Sequence, residues 1–213
     1  MRIFHALSET TIGRALLAYF FDLPRWTLAN ALFALALAPA LLAFLEGHYQ
    51  WIALLCFPAA MISAGMINMA SRQVHDNVPR WRGVFSNAST FISGFILWAG
   101  SAVSMTVLFQ DVPMAVLVII CALVLIFLMI GVFALFVPPL LNVRGILVWR
   151  NALVLAVVNP VVALGLLALL IVGAWAVWIT RGALLFCVPA VWVLIGVFSV
   201  HDRINAFQSP SPE

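Results

Sequence analysis

Six continuous apolar stretches, each about as long as a bilayer core is thick, dominate this chain. They run from Trp26 to Leu45, Trp51 to Ala70, Phe91 to Phe109, Met114 to Val137, Val161 to Thr180 and Leu184 to Val200. At about 1.5 Å rise per residue, helices of these lengths cross a hydrocarbon core of about 30 Å, the sixth being the shortest. A backbone in lipid must satisfy its own N–H and C=O groups, so only helices and closed barrels span. A barrel needs apolar and polar residues in alternation, and these runs do not alternate. Only 8% of the 213 residues are charged, against about 25% in a soluble domain, so most of the surface must face lipid. The expected fold is all-α: a polytopic transmembrane helical bundle of six spans.

Arginine placement sets the orientation. The ten basic residues are all arginine. Arg2, Arg14 and Arg25 precede the first run, Arg72, Arg80 and Arg82 follow the second, Arg144 and Arg150 lie between the fourth and fifth, and Arg203 follows the sixth. Only Arg181 falls on the other side. By the positive-inside rule both termini are cytoplasmic. Trp51, Trp175 and Trp178 are then expected at the outer interface, and Trp26, Trp81 and Trp149 at the inner one. The expected location is a membrane crossed several times, with the arginine-bearing loops on its cytoplasmic side.

Between the runs, two segments read as interfacial amphipathic helices. At the N-terminus, Ile3, Phe4, Leu7, Leu17 and Phe20 are interspersed with Arg2, Glu9 and Arg14, which predicts a helix over 3–20 in the inner headgroup layer. Asp22 is expected to cap the next helix, with Pro24 in its first turn. In the second cytoplasmic loop, Trp81, Val84, Phe85, Ala88, Phe91 and Ile92 fall on one helical face, opposite Arg80, Arg82, Ser86, Asn87 and Ser89. The chain therefore divides into an N-terminal interfacial helix over 1–24, a membrane domain over 25–205 and a disordered tail over 206–213. The stretch Phe133 to Pro160 is an elbow: apolar helix, a break at Pro138-Pro139, Arg144 and Arg150, then a return to apolar sequence after Asn159-Pro160. Trp81-Arg82 and Trp149-Arg150 occupy matching places in the two cytoplasmic segments, a pattern that coincidence or remote duplication explains.

Several chemistries are excluded by what the runs lack. No acid, arginine or histidine sits in the middle of a span, where a proton relay needs one. P-loop, HExxH and GxSxG patterns are absent. His5, His48, His75 and His201 fall in different loops without ligand spacing. Cys56, Cys121 and Cys187 lie inside apolar runs and read as small packing residues. No enzymatic activity, cofactor, metal or nucleic-acid partner is expected. Asn30, Ser63, Asn68, Ser101, Ser104, Thr106 and Asn142 read as helix–helix hydrogen-bonding and packing groups; the alternative is a neutral-solute path through Asn30, Asn68 and Asn142.

Three places resemble the YesL family of bacterial integral membrane proteins, whose activity is unsettled. Asn30 and Pro39 match its asparagine, apolar run, proline pattern. The stretch through Arg82, Phe85 and Phe91 resembles its phenylalanine-rich basic segment. Phe136, Pro138, Arg144, Asn151, Ala152, Asn159 and Pro160 resemble its aromatic-proline turn and asparagine-alanine helix. The resemblance covers residues 10–205; it departs at Ala40-Leu41-Leu42, where the family has a threonine-isoleucine-glycine group, and in the shorter second loop. It implies association with carbohydrate uptake, because such proteins are often encoded beside sugar ABC transporter components. The expected function is a non-enzymatic accessory or assembly partner for such permease subunits, with homo-oligomerisation as a further expected association. Arg82, Arg144, Arg150 and Asn151 are the candidate partner or lipid contacts. A small permease for a neutral solute is the alternative.

Overall fold

The computed structural model describes residues 9–76, 88–108 and 113–208, and among these every regular element is helical. The first helix, α1, covers Thr11–Phe21; the Thr10 hydroxyl starts it by accepting the Gly13 N–H at 3.0 Å. Then come α2 (Leu23–Leu45), α3 (Tyr49–Leu55), α4 (Phe57–Asp76), α5 (Ala88–Leu108) and α6 (Met114–Leu141). After a short turn follow α7 (Ile146–Val158), α8 (Pro160–Ile179), a 3-10 turn over Ala183–Phe186, and α9 (Val188–Gln208). Four of them, α2, α6, α8 and α9 as far as Phe207, are long and apolar enough to cross a membrane, with mean hydropathies of 2.2, 3.4, 2.5 and 1.2. The protein is thus a helical membrane protein.

Among the described residues, two of the six apolar runs are interrupted, and both interruptions share one sequence pattern. The second run breaks at Cys56, between α3 and α4; the sixth breaks at Cys187, between the 3-10 turn and α9. Each break reads Cys-X-Pro-Ala, with Pro58 and Pro189 at the second position of the helix that follows. There the missing proline N–H removes no helical bond, while a proline deeper in a helix would. Ala59 and Ala190, next in line, are both fully buried. Gly65 and Gly196 then follow at equal spacing, as do Arg72 and Arg203. Both units also begin alike. A short helix (α1 or α7) meets Asp22 or Asn159, and Pro24 or Pro160 stands in the first turn of the long helix after it. The repeat within the described residues therefore has a different register from the tryptophan-arginine pairs, of which Trp81-Arg82 lies outside the described residues.

The break expected at Pro138-Pro139 does not occur: α6 runs through both to Leu141, just as α2 runs through Pro39. In α6, packing overrides the break: Gly131 to Pro138 are buried on every face, against α4, α5, α7, α8 and α9. Burying that much apolar surface outweighs two lost backbone bonds. The helix ends instead at Asn142, which takes a left-handed conformation (φ 51°), and Gly145 (φ 63°) turns the chain into α7.

Other expectations shift in detail. α1 is not a separate surface element: Ala15 and Tyr19 belong to the buried core, while Phe20 and Phe21 face outward. Asp22 stands at the start of α2 but forms no side-chain cap; its carboxylate accepts from Arg25 Nη1 at 3.1 Å. Trp26 is fully buried rather than interfacial, whereas Trp51, Trp175 and Trp178 are exposed. Trp149 stacks on Phe127 with centroids 6.4 Å apart. The tail expected from residue 206 is helical through Gln208.

At the centre, Phe136 lies against Gly196 of α9. A Cβ built on Gly196 would fall 2.2 to 2.9 Å from three atoms of the Phe136 ring. A ring packed at 0% exposure has nowhere to retreat. Gly196→Ala is expected to destabilise the bundle by about 1–3 kcal/mol, and Phe136→Leu in the same chain to recover part of it. Thermal unfolding in detergent measures both.

Candidate functional site

The polar groups gather in two places, one within the bundle and one at its arginine-bearing end. The first is built around Asn30, on α2, which is fully buried. Its Nδ2 donates to the Phe186 carbonyl at 2.6 Å, and its Oδ1 accepts the Ala190 N–H at 2.9 Å. Phe186 and Ala190 are four residues apart, the spacing at which an unbroken helix would join their backbones directly. The amide of Asn30 is inserted into that gap. It replaces one missing backbone bond with two side-chain bonds, so the break costs little in hydrocarbon. Beside it, the Tyr19 hydroxyl meets the Cys187 thiol and the Thr27 side chain. Burial, and next the Cys187 hydrogen bond, push the Tyr19 hydroxyl up to about 12, with Thr27 acting the other way. The phenol stays neutral at physiological pH and serves as a hydrogen-bonding group.

The second place is where α1, the end of α4 and the end of α9 meet. α1 runs antiparallel to α9. The Thr11 hydroxyl donates to Asp202 Oδ2 at 2.8 Å, Arg14 pairs with the same oxygen, and the Arg14 guanidinium lies 5.5 Å from the Phe198 ring centre. Gln73 Nε2 of α4 donates to the Ala18 carbonyl of α1 at 3.0 Å. His75 of α4 and His201 of α9 meet edge to face, ring centres 5.3 Å apart. His75 Nδ1 bonds the Ser71 carbonyl at 2.8 Å, and His201 Nε2 bonds Asn205 Nδ2 at 2.9 Å. The sequence put these two histidines in different loops; the fold brings them together, because the ends of α4 and α9 pack side by side. Among the described residues no group of three His, Cys, Asp or Glu is arranged to hold a metal.

The residues nominated from sequence do not form one site. Asn30 spends both ends of its amide on α9, and Asn68 is buried in α4. Asn142 is exposed at the end of α6 and joins neither. Arg144 and Arg150 are exposed at the turn before α7 and on α7 itself, with Asn151 half-buried beside them. Arg82 lies outside the described residues. Sequence reasoning missed the cluster of Thr11, Arg14, Asp202, His75 and His201. No local signal marks it, because its members come from helix ends far apart in the chain.

Comparison with known proteins adds no relative: no family model, no curated protein and no solved structure matches this chain.

Asn30→Leu would leave the Phe186 carbonyl and Ala190 N–H unpaired in an apolar setting. At about 1–3 kcal/mol per group, it is expected to lower the melting temperature in detergent by roughly 5–15 °C. Asp202→Asn, which weakens a half-exposed ion pair, is expected to cost under about 1 kcal/mol. Equal effects from the two would contradict this ranking of the two places.

Proposed function

We propose that this protein is a six-span, non-enzymatic accessory or assembly partner in a bacterial cytoplasmic membrane, with both termini on the arginine-bearing side. In this reading the four long apolar helices are joined as spans by α5 and by α3 with α4. α1 and α7 are the short helices on the inner side. The observation that carries it is the division of labour within the bundle. The buried stretch of α6 with Phe133 and Phe136 occupies the centre that a solute path would need, and the buried Asn30 amide is committed to α9. Exposed arginine, by contrast, stands at Arg144 and Arg150. A filled centre and an open basic rim suit a protein that binds a partner better than one that passes a solute. The family resemblance at Phe136, Pro138, Arg144, Asn151 and Asn159 directs the search for that partner to permease subunits of carbohydrate uptake.

The test is co-purification from crosslinked membranes. Arg144→Glu with Arg150→Glu is expected to reduce recovery of the partner at least tenfold, and Arg181→Glu, at the opposite end, to leave it unchanged. Undiminished recovery from the double variant would remove this surface from the account.

A further inference from the structure

A cleft of about 200 Å³ opens at the inner end of the bundle, lined by Thr11 of α1, Val162 of α8, and Ser199, Asp202 and Arg203 of α9. Its charges are divided in an unusual way. Thr11 and Arg14 both bond Asp202 through Oδ2. The other oxygen, Oδ1, has no hydrogen-bond partner among the described residues, and neither do the Ser199 hydroxyl and the Arg203 guanidinium. One small cleft therefore presents an uncommitted carboxylate oxygen and an uncommitted cation. A simple anion there would face Asp202, and a simple cation would face Arg203. A zwitterion satisfies both.

Height in the bundle narrows the choice. The Trp192 indole donates to the Leu166 carbonyl at 2.9 Å, which sets the level of α9 against α8. α8 begins only six residues before Leu166, at Pro160, so the last turns of α9 extend past the start of α8. The cleft thus lies where α8 enters the apolar layer, at the level of lipid headgroups. Val162 belongs to the first turn of α8, where the helix dipole favours a negative group nearby. Val161 and Leu164, exposed by 80% and 46%, continue from the cleft along the lipid side of α8.

We propose that this cleft binds the headgroup of an inner-leaflet phospholipid of the phosphoethanolamine type. The phosphate bonds Arg203 and Ser199, the primary ammonium donates to Asp202 Oδ1, and the acyl chains lie along Val161 and Leu164. A trimethylated ammonium has no N–H to donate to Asp202, and a glycerol headgroup has no cation, so both bind less well. The inference does not depend on the accessory role; lipid selectivity and partner recovery are separate readouts.

Native mass spectrometry of the full chain, with phosphatidylethanolamine, phosphatidylcholine and phosphatidylglycerol supplied in turn, tests it. Phosphatidylethanolamine is expected to bind about tenfold tighter than either of the others, the scale of a charge-assisted hydrogen bond. Arg203→Gln and Ser199→Ala are each expected to weaken it severalfold without changing the melting temperature, and Arg203→Lys to restore part of the loss. Soluble glycerophosphoethanolamine is expected to compete only weakly. Equal binding of the three lipids, unchanged binding by both variants, or a soluble competitor as tight as the lipid would each overturn the proposal.

Discussion

A backbone group freed inside hydrocarbon has no water to turn to, and much of this fold follows from how one such case is resolved. Pro189 lets α9 begin anew inside an apolar run, and the amide of Asn30 bridges the gap between Phe186 and Ala190. Asn30 stands in the first third of α2, and Val188, at the start of α9, packs against Gly173 of α8, 13 residues after Pro160. A helix of 21 residues beginning there reaches beyond the start of α8. That overhang gives α1 a surface to dock on and brings Asp202 to Thr11 and Arg14. The polar end of the molecule is a consequence of where α9 is allowed to begin.

The two repeated units use the same devices to different ends. α4 and α9 both follow a Cys-X-Pro-Ala break and both finish in polar turns, where His75 and His201 touch. α1 packs along α9, whereas α7 packs chiefly on α6. α5 and α6 lie between the units in sequence, and α6 fills the space between them in the fold, with Phe136 against Gly196. The Phe136 ring thereby fills the space between the two units, and close packing of this kind transmits strain.

The all-helical membrane architecture was legible because continuous apolar runs with so few charges have only one solution in lipid. Asn30 could be nominated because an asparagine in such a run must bond to something, but its partner, 156 residues away at Phe186, leaves no local trace. Local rules misjudged the prolines in both directions. Pro138-Pro139 predicts a break, yet the surrounding helices keep α6 helical through both. Pro58 and Pro189 lie inside apolar runs with no local mark of a break, yet each stands where a helix restarts. Proline reports a lost donor; whether the helix survives depends on packing that the neighbouring sequence does not contain. The histidine pair and the Asp202 cluster were illegible for the same reason, since they join helix ends far apart in the chain.

The claim at the root of this account is that a side chain, not water, satisfies the break in α9. Amide hydrogen exchange in a lipid nanodisc reads it directly at one position. The Ala190 N–H is expected to exchange as slowly as those of Val193 and Leu194, deep in the same helix. Exchange as fast as that of Gly182, in the open turn before it, would mean that water reaches the break and that the Asn30 bridge does not hold it closed.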